Sequence, residues 1–135
     1  MQFIDTNVFL RFLTKDDPEK AASCRKLLQS AAAGELKLFT TDLVIAELIW
    51  VLQSPKTYNL NPSEISKIIM PLLTIKHLYF PCKNVFPDIM ELFKTEKIDF
   101  IDAYNSEIMR GRKIDTIYSY DKHFDRLPDI VRQEP

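Results

Sequence analysis

The sequence predicts an α/β protein: one domain, residues 1–135, built as a three-layer α/β/α sandwich on a mainly parallel central sheet of four to five strands. Three observations predict it. Short apolar runs of strand length alternate with longer stretches patterned at helical spacing. Parallel neighbours need right-handed crossovers, so that alternation places helices on both faces of the sheet. Finally, 135 residues of which 46% are apolar suffice for one sizeable core and leave little for a second.

The first element is Gln2-Phe3-Ile4, whose Phe3 and Ile4 suit a strand covered on both faces. The strand breaks on Asp5 in a strand-to-helix turn, and Asn7 is placed to cap a short helix carrying Phe9, Phe12 and Leu13 on one side. Asp16-Asp17-Pro18-Glu19 supplies a cap, a first-turn proline and an early acid, opening a helix toward Ala33 that Gly34 ends. Lys37 to Thr40 is the second strand, and Thr41-Asp42 caps an apolar helix from Leu43 to about Gln53.

After a polar loop from Ser54, Asn61-Pro62-Ser63-Glu64 starts a helix with Ile65, Ile68, Ile69, Leu72 and Leu73 inward, which Pro71 should kink or shorten. Leu78-Tyr79-Phe80 is the third strand. Asn84 opens a helix through Ile89, Leu92 and Phe93, and Asp99 opens the next, through Met109. Thr116-Ile117-Tyr118 is the fourth strand, a short helix follows Asp121, and a weak strand at Ile130-Val131 closes the chain. The Trp50 and Phe100 stripes read as core.

Composition removes several function classes. With 18 basic and 19 acidic residues, no global charge announces a nucleic-acid partner, so such binding must rest on a local patch. Two glycines exclude Gly-rich phosphate-cradling loops. Cys24 and Cys82 make neither a disulfide framework nor a metal knuckle. The start lacks a basic n-region, and the apolar run Leu43 to Leu52 is too short for a bilayer and contains Glu47, so a soluble, cytoplasmic protein without membrane contact is expected.

Acids embedded in apolar sequence are the informative ones. Asp5 follows Phe3-Ile4, Glu47 is the only charge between Leu43 and Leu52, Asp102 lies within Phe100-Ile101-Asp102-Ala103-Tyr104, and Asp121 ends Ile117-Tyr118-Ser119-Tyr120. Asp5 and Asp121 follow strands, while Glu47 and Asp102 lie early in helices. In this architecture helix N-termini face the same edge as strand C-termini, so all four acids are aimed at one rim, where open parallel sheets bind ligands. Carboxylates crowded there raise one another's pKa unless a cation compensates, and an all-oxygen set suits Mg²⁺ or Mn²⁺. His77 and His123 read as surface or structural residues. Asp5 and Asp99 each have a second reading as helix or turn caps, and Asp99 shares a helix face with Asp102.

Taken together these segments resemble the PIN-domain ribonucleases, and especially the toxins of VapBC-type toxin-antitoxin pairs. The resemblance is carried by Asp5-Thr6-Asn7-Val8-Phe9-Leu10-Arg11, by Glu47, by Asp99-Phe100-Ile101-Asp102-Ala103 and by Ser119-Tyr120-Asp121-Lys122-His123-Phe124. It implies a PIN-like sandwich and an Mg²⁺- or Mn²⁺-dependent endoribonuclease. Its acidic site would comprise Asp5, Glu47, Asp102 and Asp121, supported by Asn7 and Ser119, the latter where family members often carry threonine. A cognate antitoxin and a homodimer through the early helices are further implications.

Glu47 is open between direct metal ligand, water-mediated ligand and general base. Arg11, Lys15, Arg110, Arg112, Lys113, Lys122 and Arg126 are the candidates for phosphate contacts near the same rim. Two other readings of the family pattern are a housekeeping RNA-processing nuclease and an inert RNA-binding or assembly module. A phosphoaspartyl phosphatase would need a second aspartate where Asn7 stands.

Overall fold

The computed structural model describes residues 1–135, which form two compact units, Met1–Asn84 and Val85–Pro135. In the first, strands β1 (Gln2–Phe3), β2 (Leu38–Phe39) and β3 (Leu78–Tyr79) pair in parallel in that order, with Gln2 opposite Leu38 and Leu38 opposite Leu78. Two helices make each crossover: α1 (Thr6–Thr14) with α2 (Pro18–Ala33), then α3 (Asp42–Gln53) with α4 (Pro62–Leu73). Helix α1 packs on α2 and α3, and α3 on α4. The second unit holds α5 (Phe86–Thr95) packed on α6 (Phe100–Gly111), strand β4 (Thr116–Tyr118), a 3₁₀ helix (Lys122–Arg126) and strand β5 (Val131–Gln133). Strand β5 pairs in parallel with β4, so every ladder in the chain is parallel, one of three strands and one of two.

Local signals set most helix boundaries. Asp17 accepts from the Lys20 N–H at the start of α2, where Pro18 needs no hydrogen-bond partner, and Gly34 ends that helix at φ 83°. A β-carbon at Gly34 would also press on the His77 ring at 3.3 Å. Thr41 and Asn61 cap α3 and α4 through the N–H groups of Val44 and Glu64. Pro71 lies in the last turn of α4, which runs two residues further and closes when Thr74 donates through its hydroxyl and its N–H to the Pro71 carbonyl. The proline therefore marks the end of the helix and does not break it earlier.

Three expectations are corrected. Helix α1 starts at Thr6 with Asp5 as its cap, so Asn7 is inside the helix. Helix α5 starts at Phe86, after a turn that contains Asn84, and Pro87 in its first turn is the starting signal. Strand β1 is not covered on both faces: it is an edge strand, and Phe3 is exposed although its ring meets Phe39 at 6.2 Å.

The core of the first unit gathers Leu38, Ile45, Leu48, Ile49, Ile65, Ile69 and Leu78, all essentially inaccessible. Helix α3 spends Ile45, Leu48, Ile49 and Leu52 on that core, which turns Leu43 and Trp50 outward, 79% and 68% exposed. Trp50 is therefore not a core residue. Phe100 is: it lies 5.9 Å, ring to ring, from both Phe86 and Phe93 in the core of the second unit.

Four non-glycine residues hold left-handed backbone: Lys15, Asn59, Lys97 and Lys113, at φ 51–59°. Lys15 ends α1, Lys97 joins α5 to α6, and Lys113 follows α6. The Arg126 guanidinium donates to the carbonyls of Glu96 and Lys97 and fastens that join. In the first unit, the half-buried Lys83 ammonium donates to the Ile75 and Leu78 carbonyls at 2.6 Å each, tying the turn after β3 to the one before it, and burial holds its pKa below the ordinary amine value.

Candidate active site

The second unit brings Asp102, Asp121 and His123 together, one potential ligand atom from each within 4.8 Å of the others. Asp102 stands in the first turn of α6. Asp121 leaves β4 through a turn in which its N–H donates to the Ser119 hydroxyl at 2.9 Å and its Oδ1 accepts from the His123 N–H at 2.9 Å. Ser119 thus orients Asp121 through its backbone. The same turn swings the His123 ring back, Nδ1 3.0 Å from Asp121 Oδ1, close enough for an ion pair but not aligned for a hydrogen bond.

Asp99 occupies the cap position of α6, yet its side chain makes no capping bond. It leans electrostatically on Asp102 instead. Burial, then Asp121, then Asp99 push the Asp102 pKa above the ordinary carboxylate value, and His123 partly opposes them. A group with that shift keeps its proton in the folded chain where the unfolded chain has lost it. Its penalty is absent below the ordinary aspartate pKa and complete above the displaced one. Without divalent metal, the melting-temperature difference between Asp102→Asn and the unaltered chain is expected to be near zero in acid and to open in favour of the variant as pH rises through that window. A pH series of thermal melts in EDTA checks it.

The first unit holds Asp5 and Glu47. Asp5 accepts from the N–H groups of Asn7 and Val8 through Oδ1, at 3.1 and 3.4 Å, so it caps α1 and remains solvent-exposed. Glu47, one turn and a half into α3, is exposed, and its Oε2 accepts from the buried Thr6 hydroxyl. That bond ties the first turn of α1, and with it Asp5, to the Glu47 face of α3. The Asn7 side chain lines an open groove between α1 and α2 with Val8, Arg11, Lys20, Ser23 and Cys24.

Two participants are invisible in the sequence. Thr6 enters it only as part of a motif, and its partner lies 41 residues away. His123 reads as a surface or structural residue because Asp102 belongs to another element; the only local signal is its position two residues after Asp121.

The cations divide by geometry. Arg110 to Lys113 end the helix that Asp102 begins, and ten residues of α-helix separate Asp102 from Arg112 by roughly 15 Å. They do not share its end of the helix. Arg110 is moreover engaged, its guanidinium paired with Glu107 and with both oxygens of Asp129, which hold its pKa above the ordinary value. Arg126 is the clip on the α5–α6 join. Lys15 and Arg11 stay on α1, Arg11 half-buried, while Lys122 is exposed beside Asp121.

The PIN-domain family model matches residues 3–130. This chain belongs to the PIN-domain family. A PIN domain with parallel ladders and helices in the crossovers is the α/β fold expected from the sequence. Over the full length of both chains, the structure is similar to that of VapC20 from Mycobacterium tuberculosis, a sarcin-ricin loop cleaving toxin, at 17% identity and a TM-score of 0.40. No curated protein matches the sequence significantly. No helix of this PIN domain is long and apolar enough to cross a membrane.

The donor set suits a divalent cation. Two carboxylates and an imidazole within 4.8 Å offer hard oxygen ligands with one nitrogen, and burial with two acidic neighbours holds the Asp102 pKa above the ordinary carboxylate value.

Proposed function

We propose that residues 1–135 act as one PIN domain, an Mg²⁺- or Mn²⁺-dependent endoribonuclease with a site of four carboxylates, Asp5, Glu47, Asp102 and Asp121, working as the toxin of a toxin-antitoxin pair. The observation that carries the reading is the Asp102–Asp121–His123 cluster, with Asp102 held above its ordinary pKa by burial and its acidic neighbours, in a chain of the PIN-domain family. Asp102 and Asp121 would hold the metal, with Asp5 as the third candidate ligand, and a divalent cation held there would supply Lewis acidity toward the scissile phosphate and the leaving oxygen and a bound water of lowered pKa.

The chain's own groups do the remaining work. Ser119 and the Asp121 turn fix one carboxylate before substrate arrives, and Asn7 supports the Asp5 side of the site. Thr6 leaves Glu47 with one oxygen, Oε1, for the attacking water's proton or for the metal. His123 stands against Asp121, its Nδ1 3.0 Å from Asp121 Oδ1. Lys122 meets a phosphate beside the cleaved one. No covalent intermediate is required.

The test is cleavage of labelled RNA with Mn²⁺, with Mg²⁺ and with EDTA. Activity in the first two and none in the third supports the reading, and no cleavage under any condition overturns it. The antitoxin presents a basic side chain to the acids and an apolar face beside it, competing with metal and RNA. The domain pairs through its early helices as a homodimer, for which light scattering at tens of micromolar is expected to give twice the 15.8 kDa chain mass.

A further inference from the structure

One guanidinium in the second unit reaches both ends of the turn that carries Asp121 and His123. Arg132 is the middle residue of β5, opposite Ile117 of β4, and is half-buried. Its Nη1 donates to the Ser119 carbonyl at 2.9 Å, just before Asp121 in the chain. Its Nε and Nη2 donate to Oδ1 and Oδ2 of Asp125 at 2.9 and 3.4 Å, inside the 3₁₀ helix that follows Asp121. The next residue of the strand holds the same turn, the Gln133 carbonyl accepting from the Ser119 N–H at 2.9 Å. Strand β5 thus fixes Ser119 through its N–H and its carbonyl, and the Ser119 hydroxyl in turn accepts from the Asp121 N–H.

We infer that Arg132 is a positioning residue of the acidic site: it clamps the segment from Ser119 to Asp125 so that Asp121 stands beside Asp102 before a divalent cation arrives. The assignment rests on the metal-dependent ribonuclease reading. Geometry separates this role from two simpler ones. A surface ion pair needs only the Glu134 contact, which Nη1 also makes at 2.9 Å, and exposed pairs of that kind contribute little. A phosphate contact needs an open cation, whereas this guanidinium is already taken by two carboxylates and a carbonyl. The planar fork reaches both ends of the turn at once, where a lysine ammonium would meet one. Groups that orient metal ligands are typically worth about 10–100-fold in metal affinity or activity. Arg132 acts one step further out, through the Ser119 backbone, so the lower end of that range is expected.

The experiment has one arm without metal and one without catalysis. In EDTA, amide hydrogen exchange is followed residue by residue in the unaltered full chain, Arg132→Met, Arg132→Lys and Glu134→Gln. Mn²⁺ is then titrated into the same proteins without RNA, the free ion being read from its paramagnetic resonance signal. In Arg132→Met the Asp121 and His123 N–H groups should exchange about tenfold faster or more. The Ala103 N–H, bonded to the Asp99 carbonyl at the start of α6, should keep its rate. The Mn²⁺ Kd should rise about tenfold. Arg132→Lys should stay within about twofold of Arg132→Met, and Glu134→Gln within about twofold of the unaltered chain. In cleavage, Arg132→Met should need more Mn²⁺ for half its maximal rate, yet approach the unaltered kcat at saturating Mn²⁺ with the KM for RNA unchanged.

Unchanged exchange and unchanged Mn²⁺ affinity in a folded Arg132→Met, while the unaltered chain still cleaves RNA, overturn the clamp and leave the ribonuclease reading standing. A higher KM for RNA at unchanged Mn²⁺ affinity makes Arg132 a phosphate contact and also overturns the clamp. Full recovery in Arg132→Lys does the same, because charge alone then suffices. An unaltered chain that neither binds Mn²⁺ nor cleaves RNA overturns both readings, whatever the exchange shows. Should Arg132→Met fail to fold, Asp125→Ala cuts the far end of the clamp at an exposed residue and carries the same expectations and the same refutations.

Discussion

An Asp102→Asn protein is expected to fold, to melt above the unaltered chain in metal-free neutral buffer, and to cleave RNA at least about a hundredfold more slowly. The two effects have opposite signs because one carboxylate does two things. Its burial and its nearness to Asp121 and Asp99 make its charge costly in the apo protein, and the amide removes that charge with little change of shape. On the proposed reading the same charge would draw a divalent cation. Replacing residues that merely support a metal ligand typically lowers affinity or activity about 10–100-fold, so replacing a ligand should do at least as much. The measurement is a cleavage time course with Mn²⁺ beside thermal melts with EDTA. Full activity in a folded Asp102→Asn protein would remove Asp102 from the site.

The second large effect concerns metal and stability. Mn²⁺ at about a hundredfold over its Kd should stabilise the unaltered chain by ~2.7 kcal/mol, which for a chain of this length is roughly 10 °C in Tm. An Asp5→Asn, Asp102→Asn double variant should show almost no shift. Asparagine suits the Asp5 position because it caps a helix about as well as aspartate, so the α1 start survives and only the charge is lost. Equal shifts in both proteins would place the cation elsewhere.

Helix ends are readable from the sequence where a local rule governs them. Asp17-Pro18-Glu19 and Gly34 bracket α2 with no help from the rest of the chain, and Asn61-Pro62 does the same at the start of α4. Asn84 misleads because a turn precedes α5 and Pro87, not the asparagine, marks the first turn. The acids stand out in the sequence by their apolar surroundings, but their local jobs do not. Asp5 caps and Asp99 does not, since capping depends on a side-chain rotamer that sequence does not encode. The Thr6–Glu47 bond spans 41 residues, and Trp50 sits in a run so apolar that its outward direction emerges only once Ile45, Leu48 and Ile49 have claimed the core. Long-range pairing and the choice of face on an all-apolar helix are tertiary decisions.

Lys15, Lys97 and Lys113 stand at helix ends in a backbone conformation that costs a side-chain-bearing residue about 1–2 kcal/mol. Glycine avoids that cost but loses roughly 0.5–1 kcal/mol in unfolded-state freedom, which leaves a net gain of about 0.5–1 kcal/mol per position. Across the three positions the gain would come to about 1.5–3 kcal/mol. Lys15→Gly, Lys97→Gly and Lys113→Gly together should raise the melting temperature by several degrees while altering none of the four acids. If turnover falls in that triple variant although every acid is intact, the loss points to Lys15 or Lys113 as the phosphate contacts for which their charge makes them candidates.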